Sequence, residues 1–304
     1  MQKSKYQGVI PAFYACYDDQ GNISAERAKK LARHLVSKGV NGLYVGGSSG
    51  ECIYQEKEER MAILEAVMEE IRGECTVIVH VACNNTHESC QLAAHAESLG
   101  VDAIASIPPI YFHLPEYSIA AYWNDISAAA PNTDFIIYNI PQLAGVTLTP
   151  SLLREMKKNP RIIGVKNSSM PTYDIEAFLR EGGEDFVVFN GPDEQFVAGR
   201  SIGAVGGIGG TYAAMPELFL AMDRLIREGK AEKAVPIQHE VNAIIEQLCG
   251  CKGHMYAVIK EVLHINESLQ LGSVRPPMTE LAPEDLSRVE AVAERIRKAV
   301  AQFT

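Results

Sequence analysis

Along the chain, short apolar runs end in small or polar residues, and each is followed by a stretch whose apolar positions recur three and four apart. The runs are "GVIPAFYAC" (8–16), "GLYVGG" (42–47), "TVIVHVAC" (76–83), "AIASIPP" (103–109), "DFIIYNI" (134–140), "IIGVKNS" (162–168), "FVVFN" (186–190) and "AVGGIGG" (204–210). They are continuously apolar, which predicts strands buried on both faces, as in a parallel sheet covered by helices. The segments between them read as helices. "SAERAKKLARHLVSKG" opens on Ser24 as an N-cap and closes on Gly39. "QEKEERMAILEAVMEEIRG" sets Met61, Leu64, Val67, Met68 and Ile71 on one face. "PSLLREMKKNP" takes Pro150 into its first turn and is stopped by Pro160.

Strands alternating with helices imply parallel pairing through right-handed crossovers. Eight such units in about 215 residues fit a (β/α)8 TIM barrel. An open doubly wound sheet would announce itself by glycines in a G-x-G-x-x-G pattern after the first strand, and here that strand runs into "YDDQGNIS". Past residue 215 the strand pattern stops and four helical segments follow. The first is the eighth barrel helix. The other three form a C-terminal extension that covers the barrel or builds an oligomer contact. The expected organisation is therefore a barrel over 1–229 and a helical extension over 230–304.

Composition narrows the partners. The 304 residues carry a net charge of −10 with no Lys/Arg-rich run, so no nucleic-acid interface is expected. No apolar stretch reaches membrane length, and the N-terminal stretch lacks a signal-peptide core, which points to the cytoplasm. The seven cysteines (16, 52, 75, 83, 90, 249 and 251) are odd in number and scattered, as expected of reduced thiols. Cys249-Gly-Cys251 has no second Cys/His pair at zinc spacing, and His87-Glu88 has no second histidine at metalloprotease spacing. No metal site is expected.

In such barrels the chemistry lies at the C-terminal ends of the strands. Lys166 ends the sixth run after Ile162, Ile163 and Val165. A lysine is ordinarily solvated or ion-paired. A desolvated amine at a barrel mouth can instead attack a carbonyl while neutral. Tyr138 ends the neighbouring strand, either as a rim tyrosine or as a proton relay beside Lys166. "GGSSGE" (46–51) is either a plain turn or a carboxylate cradle of hydroxyls and backbone N–H groups. Asp193 and Glu194 either cap the next helix or accept hydrogen bonds from sugar hydroxyls. "GGIGG" (206–210) would suit a phosphate, but no cation stands near it.

In order, "GGSSGE", "YNIP", "GVKNSS", "NGPDEQF" and "GGIGGTY" resemble the dihydrodipicolinate synthase / N-acetylneuraminate lyase family of class I aldolases, along nearly the whole chain. The resemblance implies the barrel with its three-helix extension, usually as a homotetramer. It implies a Schiff base between Lys166 and pyruvate with no other cofactor. Tyr138 is then the proton relay, Ser48 and Ser49 hold the pyruvate carboxylate, and Tyr111 in "PPIYFH" supports the relay. Within the family, synthases usually carry an arginine shortly after "YN-x-P". Here "YNIPQLAGV" has Leu143, as the lyases do. Asp193, Glu194 and Gly191 then meet the glycerol-like chain of the sugar and Ser168 its hydroxyls, with Gly209 and Gly210 also at the substrate site. Two positions depart from the lyase pattern: Gly210 stands where a serine is typical, and Ser49 where threonine is frequent. The implied reaction is reversible cleavage of N-acetylneuraminate to N-acetylmannosamine and pyruvate. The alternatives are 4-hydroxy-tetrahydrodipicolinate synthase or another 2-keto-3-deoxy acid aldolase, and, in a different class, a non-catalytic pyruvate-binding regulatory protein.

Overall fold

The computed structural model describes residues 3–304. Its strands are β1 (Gly8–Pro11), β2 (Gly42–Val45), β3 (Thr76–His80), β4 (Ala103–Ser106), β5 (Asp134–Asn139), β6 (Ile162–Asn167), β7 (Val187–Asn190) and β8 (Gly206–Gly209). The helices are α1 (Ala25–Ser37), α2 (Lys57–Ile71), α3 (Thr86–Ser98), α4 (Glu116–Ala129), α5 (Pro141–Ala144), α6 (Pro150–Met156), α7 (Tyr173–Gly182), α8 (Phe196–Ser201) and α9 (Pro216–Arg227). Three more follow: α10 (Ala231–Cys249), α11 (Met255–Glu267) and α12 (Leu286–Phe303). All eight strands pair in parallel, and β1 lies beside β8. Between β1 and β2 the ladder shrinks to one bridge, Ala12 to Tyr44, where the Phe13 N–H donates to the Tyr44 carbonyl at 2.9 Å. The expected (β/α)8 barrel is the fold observed.

The two-sided apolar strands now have a cause. Ile10, Tyr44, Ile78, Ala105, Ile136, Phe189 and Ile208 fill the barrel interior. Val9, Leu43, Val77, Ile104, Phe135, Val165 and Val188 face outward against the helices. Tyr6 closes the lower end, its hydroxyl 2.7 Å from the Asp102 carbonyl and 2.8 Å from Asp134 Oδ2. The strands stop earlier than the apolar runs do, because past Pro11, His80 and Ser106 the chain leaves the ladder to build the loops of the C-terminal face. Helix starts follow the expected chemistry. The Ser24 side chain accepts from Arg27 N–H at 3.3 Å, and Pro150 opens α6 behind the Thr149 cap. The short α5 was not anticipated.

One irregularity matters for the site. Phe135 pairs with Ile162 but Ile136 pairs with Gly164, so β6 carries one extra residue, a bulge. Ile163 lies in the interior cluster, yet Val165, two residues on, lies in the outer one. The bulge reverses the alternation and puts Lys166 on the inside, opposite Tyr138.

The extension begins at Ala231. α10 packs on α8 and α9, and α12 closes over α9, α10 and α11. The end of α10 and the start of α11 thereby reach the C-terminal face of the barrel.

Candidate active site

At that face lies a cavity of about 380 Å³, lined among others by Ala12, Ser48, Ser49, Tyr138, Leu143, Lys166, Ser168, Gly191, Asp193, Glu194, Gly210 and Tyr256. Lys166 rises from β6 at its floor and is 4% exposed. Its Nζ sits 4.0 Å from the ring centre of Tyr138 and 4.1 Å from that of Tyr44. No carboxylate pairs with it among the described residues. Ring faces on two sides attract a cation, whether ammonium or iminium. Tyr138 and Tyr44 meet edge to face at 5.8 Å, and His80 stands edge to face on Tyr138 at 6.0 Å.

The turn after β2 brings the two serines to the cavity. Gly47 is required there, since a Cβ would fall 2.6 Å from the Tyr44 ring. His80 holds the start of the turn: its Nδ1 lies 3.0 Å from the Gly46 carbonyl. A carbonyl only accepts, so Nδ1 carries the proton. Burial, helped by the Arg60 charge, pushes the His80 pKa down to about 3, so the ring is neutral. Arg60 in turn donates to the His80 and Ala82 carbonyls at 2.7 and 2.8 Å, fixing the end of β3.

The opposite wall comes from β6, β7 and β8. Gly191 admits Ser168, whose Oγ would lie 2.0 Å from any Cβ at 191. Asn139, Asn167 and Asn190 stand in register one step beyond Lys166, and Asn139 Nδ2 donates to Asn167 Oδ1 at 2.8 Å. Asp193 is buried. It accepts from Gly210 N–H at 3.2 Å, Thr211 N–H at 2.6 Å and Thr211 Oγ1 at 2.5 Å. Burial raises its pKa to about 7 against the pull of the Thr211 donors. Both Asp193 oxygens thus hold the β8 turn, a task its sequence reading did not include. The Glu194 side chain reaches the cavity without a hydrogen-bond partner among the described residues, and only its carbonyl is engaged, by Asn242.

Two sequence candidates stand apart from the cavity. Gly209 is packed in β8, where a Cβ would meet Asp193 Oδ1 and the Tyr212 ring at 2.1 Å. It is a packing glycine. Tyr111 lies on the loop after β4, 86% exposed, with φ +84° and its ring edge-on to Phe112. Gly210 lines the cavity and would accept a Cβ in ordinary contact, 3.4 Å from Ser49 Oγ and from the Tyr256 hydroxyl. Sequence reasoning missed Tyr44, His80 and the contribution of the extension, which lends Ile245, Cys249, Met255 and Tyr256 to the wall. Tyr44 gave no signal of its own, since an aromatic suits any buried strand. Tyr256 reads as an ordinary apolar helix position.

This arrangement offers an amine, a phenol beside it, hydroxyls on one wall and carboxylates on the other. Lys166 is the sole cationic side chain in the lining among the described residues. That combination suits attack on a carbonyl carried by a polyhydroxylated acid. Comparison with known proteins agrees. The chain is 61% identical over 299 residues to the N-acetylneuraminate lyase of Mediterraneibacter gnavus, covering 98% of this chain and 95% of that one. It is 33% identical over 290 residues to the N-acetylneuraminate lyase of Citrobacter koseri, covering 95% and 97%. A catalytic-lysine mutant of the Ruminococcus gnavus sialic acid aldolase superposes with a TM-score of 0.98 at 60% identity, covering 99% of each chain. A sequence model of the dihydrodipicolinate synthetase family matches residues 5–296, and the chain belongs to that family.

Proposed function

We propose that the chain is an N-acetylneuraminate lyase, a class I aldolase that cleaves N-acetylneuraminate reversibly to N-acetylmannosamine and pyruvate. The observation that carries this reading is the buried Lys166 amine, unpaired with any carboxylate among the described residues and set between two aromatic rings at the floor of a hydroxyl- and carboxylate-lined cavity. Lys166 attacks the C2 carbonyl of the open-chain sugar, and loss of water leaves a protonated imine. The imine draws the electron pair of the C3–C4 bond as that bond breaks, and Tyr138 takes the proton from the C4 hydroxyl. The enamine is then protonated at C3 and hydrolysed, releasing pyruvate and the free amine. The Tyr44 and Tyr138 rings face the nitrogen and favour the stages at which it is cationic, the protonated imine above all. Ser48 and Ser49 hold the carboxylate. Ser168 and Glu194 face the sugar hydroxyls, and Asp193 fixes the turn beside them. The imine is itself the electrophile, so this chemistry calls for no metal or organic cofactor.

Among the described residues the lining has no arginine for a second carboxylate, and Leu143 lies in the stretch where the synthases usually carry one, which disfavours aspartate semialdehyde as the acceptor. The enzyme works in the cytoplasm as a homotetramer. Association would cover Ile53, Tyr111, Phe112 and Tyr117, each at least 62% exposed in the single chain. It would also bring Tyr111 toward a neighbouring site.

Borohydride reduction in the presence of pyruvate is expected to leave a three-carbon adduct on Lys166, and Lys166→Ala to stay folded without turnover. A fully active Lys166→Ala enzyme would overturn the mechanism. Consumption of pyruvate with aspartate semialdehyde, but no pyruvate release from N-acetylneuraminate, would move the chain to the synthases. Turnover itself excludes a purely regulatory pyruvate-binding role.

A further inference from the structure

We propose that α11 is a positioning element of the carboxylate pocket: Tyr256 and Lys260, one helical turn apart on one face, hold Ser49 and Glu51. Through them they hold the hydroxyls that face Lys166. The inference rests on the reading of Ser48 and Ser49 as the carboxylate holders and adds what keeps them in place.

The Tyr256 hydroxyl lies 2.9 Å from Ser49 Oγ. Its ring is packed 5.9 Å from that of Tyr14, whose hydroxyl donates to the Gly210 carbonyl at 2.6 Å. One turn along α11, Lys260 Nζ donates to Glu51 Oε1 at 2.9 Å and to the Ser273 carbonyl at 2.6 Å. The two charged side chains are 2% and 0% exposed. Glu51 Oε2 accepts from the Arg275 backbone N–H at 2.9 Å and lies 3.1 Å from the Tyr17 hydroxyl. Both carboxylate oxygens are thus engaged, by α11, by the segment between α11 and α12 and by the loop after β1.

The backbone shows what this grip maintains. Glu51 has φ +58° and ψ 32°, the left-handed region that a residue with a side chain occupies only when its surroundings impose it. In that conformation its N–H donates to the Ser48 carbonyl at 3.0 Å and closes the turn that presents both serines. A buried ion pair is a poor source of net stability, but losing one partner is costly, so it fixes one arrangement. At the other contact, Ser49 can turn its hydroxyl toward an arriving carboxylate while Tyr256 donates to the oxygen it leaves free. Such a chain of hydroxyls strengthens each bond in it. Burial raises the Tyr256 pKa, so the phenol keeps its proton for this purpose.

The test compares pyruvate with its methyl ester, which keeps the ketone and lacks the charge. Borohydride-dependent inactivation gives the half-saturating concentration and the limiting rate for each. Tyr256→Phe keeps the ring and removes the hydroxyl. It is expected to raise half-saturation for pyruvate by roughly three- to tenfold, the worth of one hydrogen bond between neutral hydroxyls. The limiting rate and the ester are expected to change little. Glu51→Gln combined with Lys260→Met removes both buried charges together and is expected to shift the pyruvate-to-ester preference the same way. A contact that only stabilised the fold would lower melting temperature and active fraction for both carbonyls equally. That result, or an unchanged preference in Tyr256→Phe, overturns the proposal. Absence of any pyruvate adduct in the wild type is a separate failure, that of the aldolase reading, and takes this proposal with it.

Discussion

Asp193 sits between two demands. Burial works against its charge, while the Thr211 N–H and hydroxyl and the Gly210 N–H favour it, and the balance leaves its pKa raised to about 7. A carboxyl that binds its proton more tightly in the native state than in the unfolded chain contributes to stability when protonated. That contribution is complete below the unfolded value of about 4 and is lost as pH rises through about 7. The wild type is therefore expected to lose melting temperature between about pH 5 and pH 8 by more than Asp193→Asn does. Parallel pH curves for the two proteins would show that Asp193 does not titrate in that window. Lys166 was legible in the sequence because a charge stands out against an apolar strand, and Tyr138 because it stands at the mouth end of the neighbouring run. Tyr44 was not, since an aromatic within "GLYV" satisfies every demand of a buried strand. Its role appears only once the barrel curls its ring over the amine, leaving the hydroxyl buried without a partner among the described residues.

At the level of elements, the order and type of the strands could be read because apolar runs and helical periods alternate without interruption. Their ends could not, because the apolar character continues into the loops that carry the site. Nor could the bulge in β6: "IIGVKN" looks the same whichever residue is doubled. Gly164 is what lets the bulge lie flat against β7, since a Cβ there would fall 2.3 Å from the Val187 carbonyl and 2.4 Å from its Cγ2. Gly164→Ala must push the two strands apart. It is expected to cost on the order of 1–3 kcal/mol in a denaturation experiment and to slow pyruvate trapping as Lys166 shifts with its strand. Wild-type values on both counts would mean that β7 yields freely there.

For the molecule as a whole, the sequence marked the extension as helical but left its purpose open. Tyr256 and Ser49 are 207 residues apart along the chain, so no local pattern could join them. The closed barrel makes that meeting possible by bringing every strand end to one face. Its closure is uneven, however. The β1–β2 seam hangs on the Ala12–Tyr44 bridge and the Phe13 N–H bond, whereas every other neighbour pair shares at least two ladder positions. Amide exchange finds such places first, because local opening there breaks the fewest bonds. The Phe13 amide is expected to exchange faster than the interior amides of β5 and β6, and to slow once pyruvate is fixed on Lys166 against Ala12 and the Tyr44 ring. Equal protection with and without the adduct would refute this. If it holds, the substrate acts as a clasp: the barrel is a hoop left slightly unfastened, and occupancy can be followed at its seam.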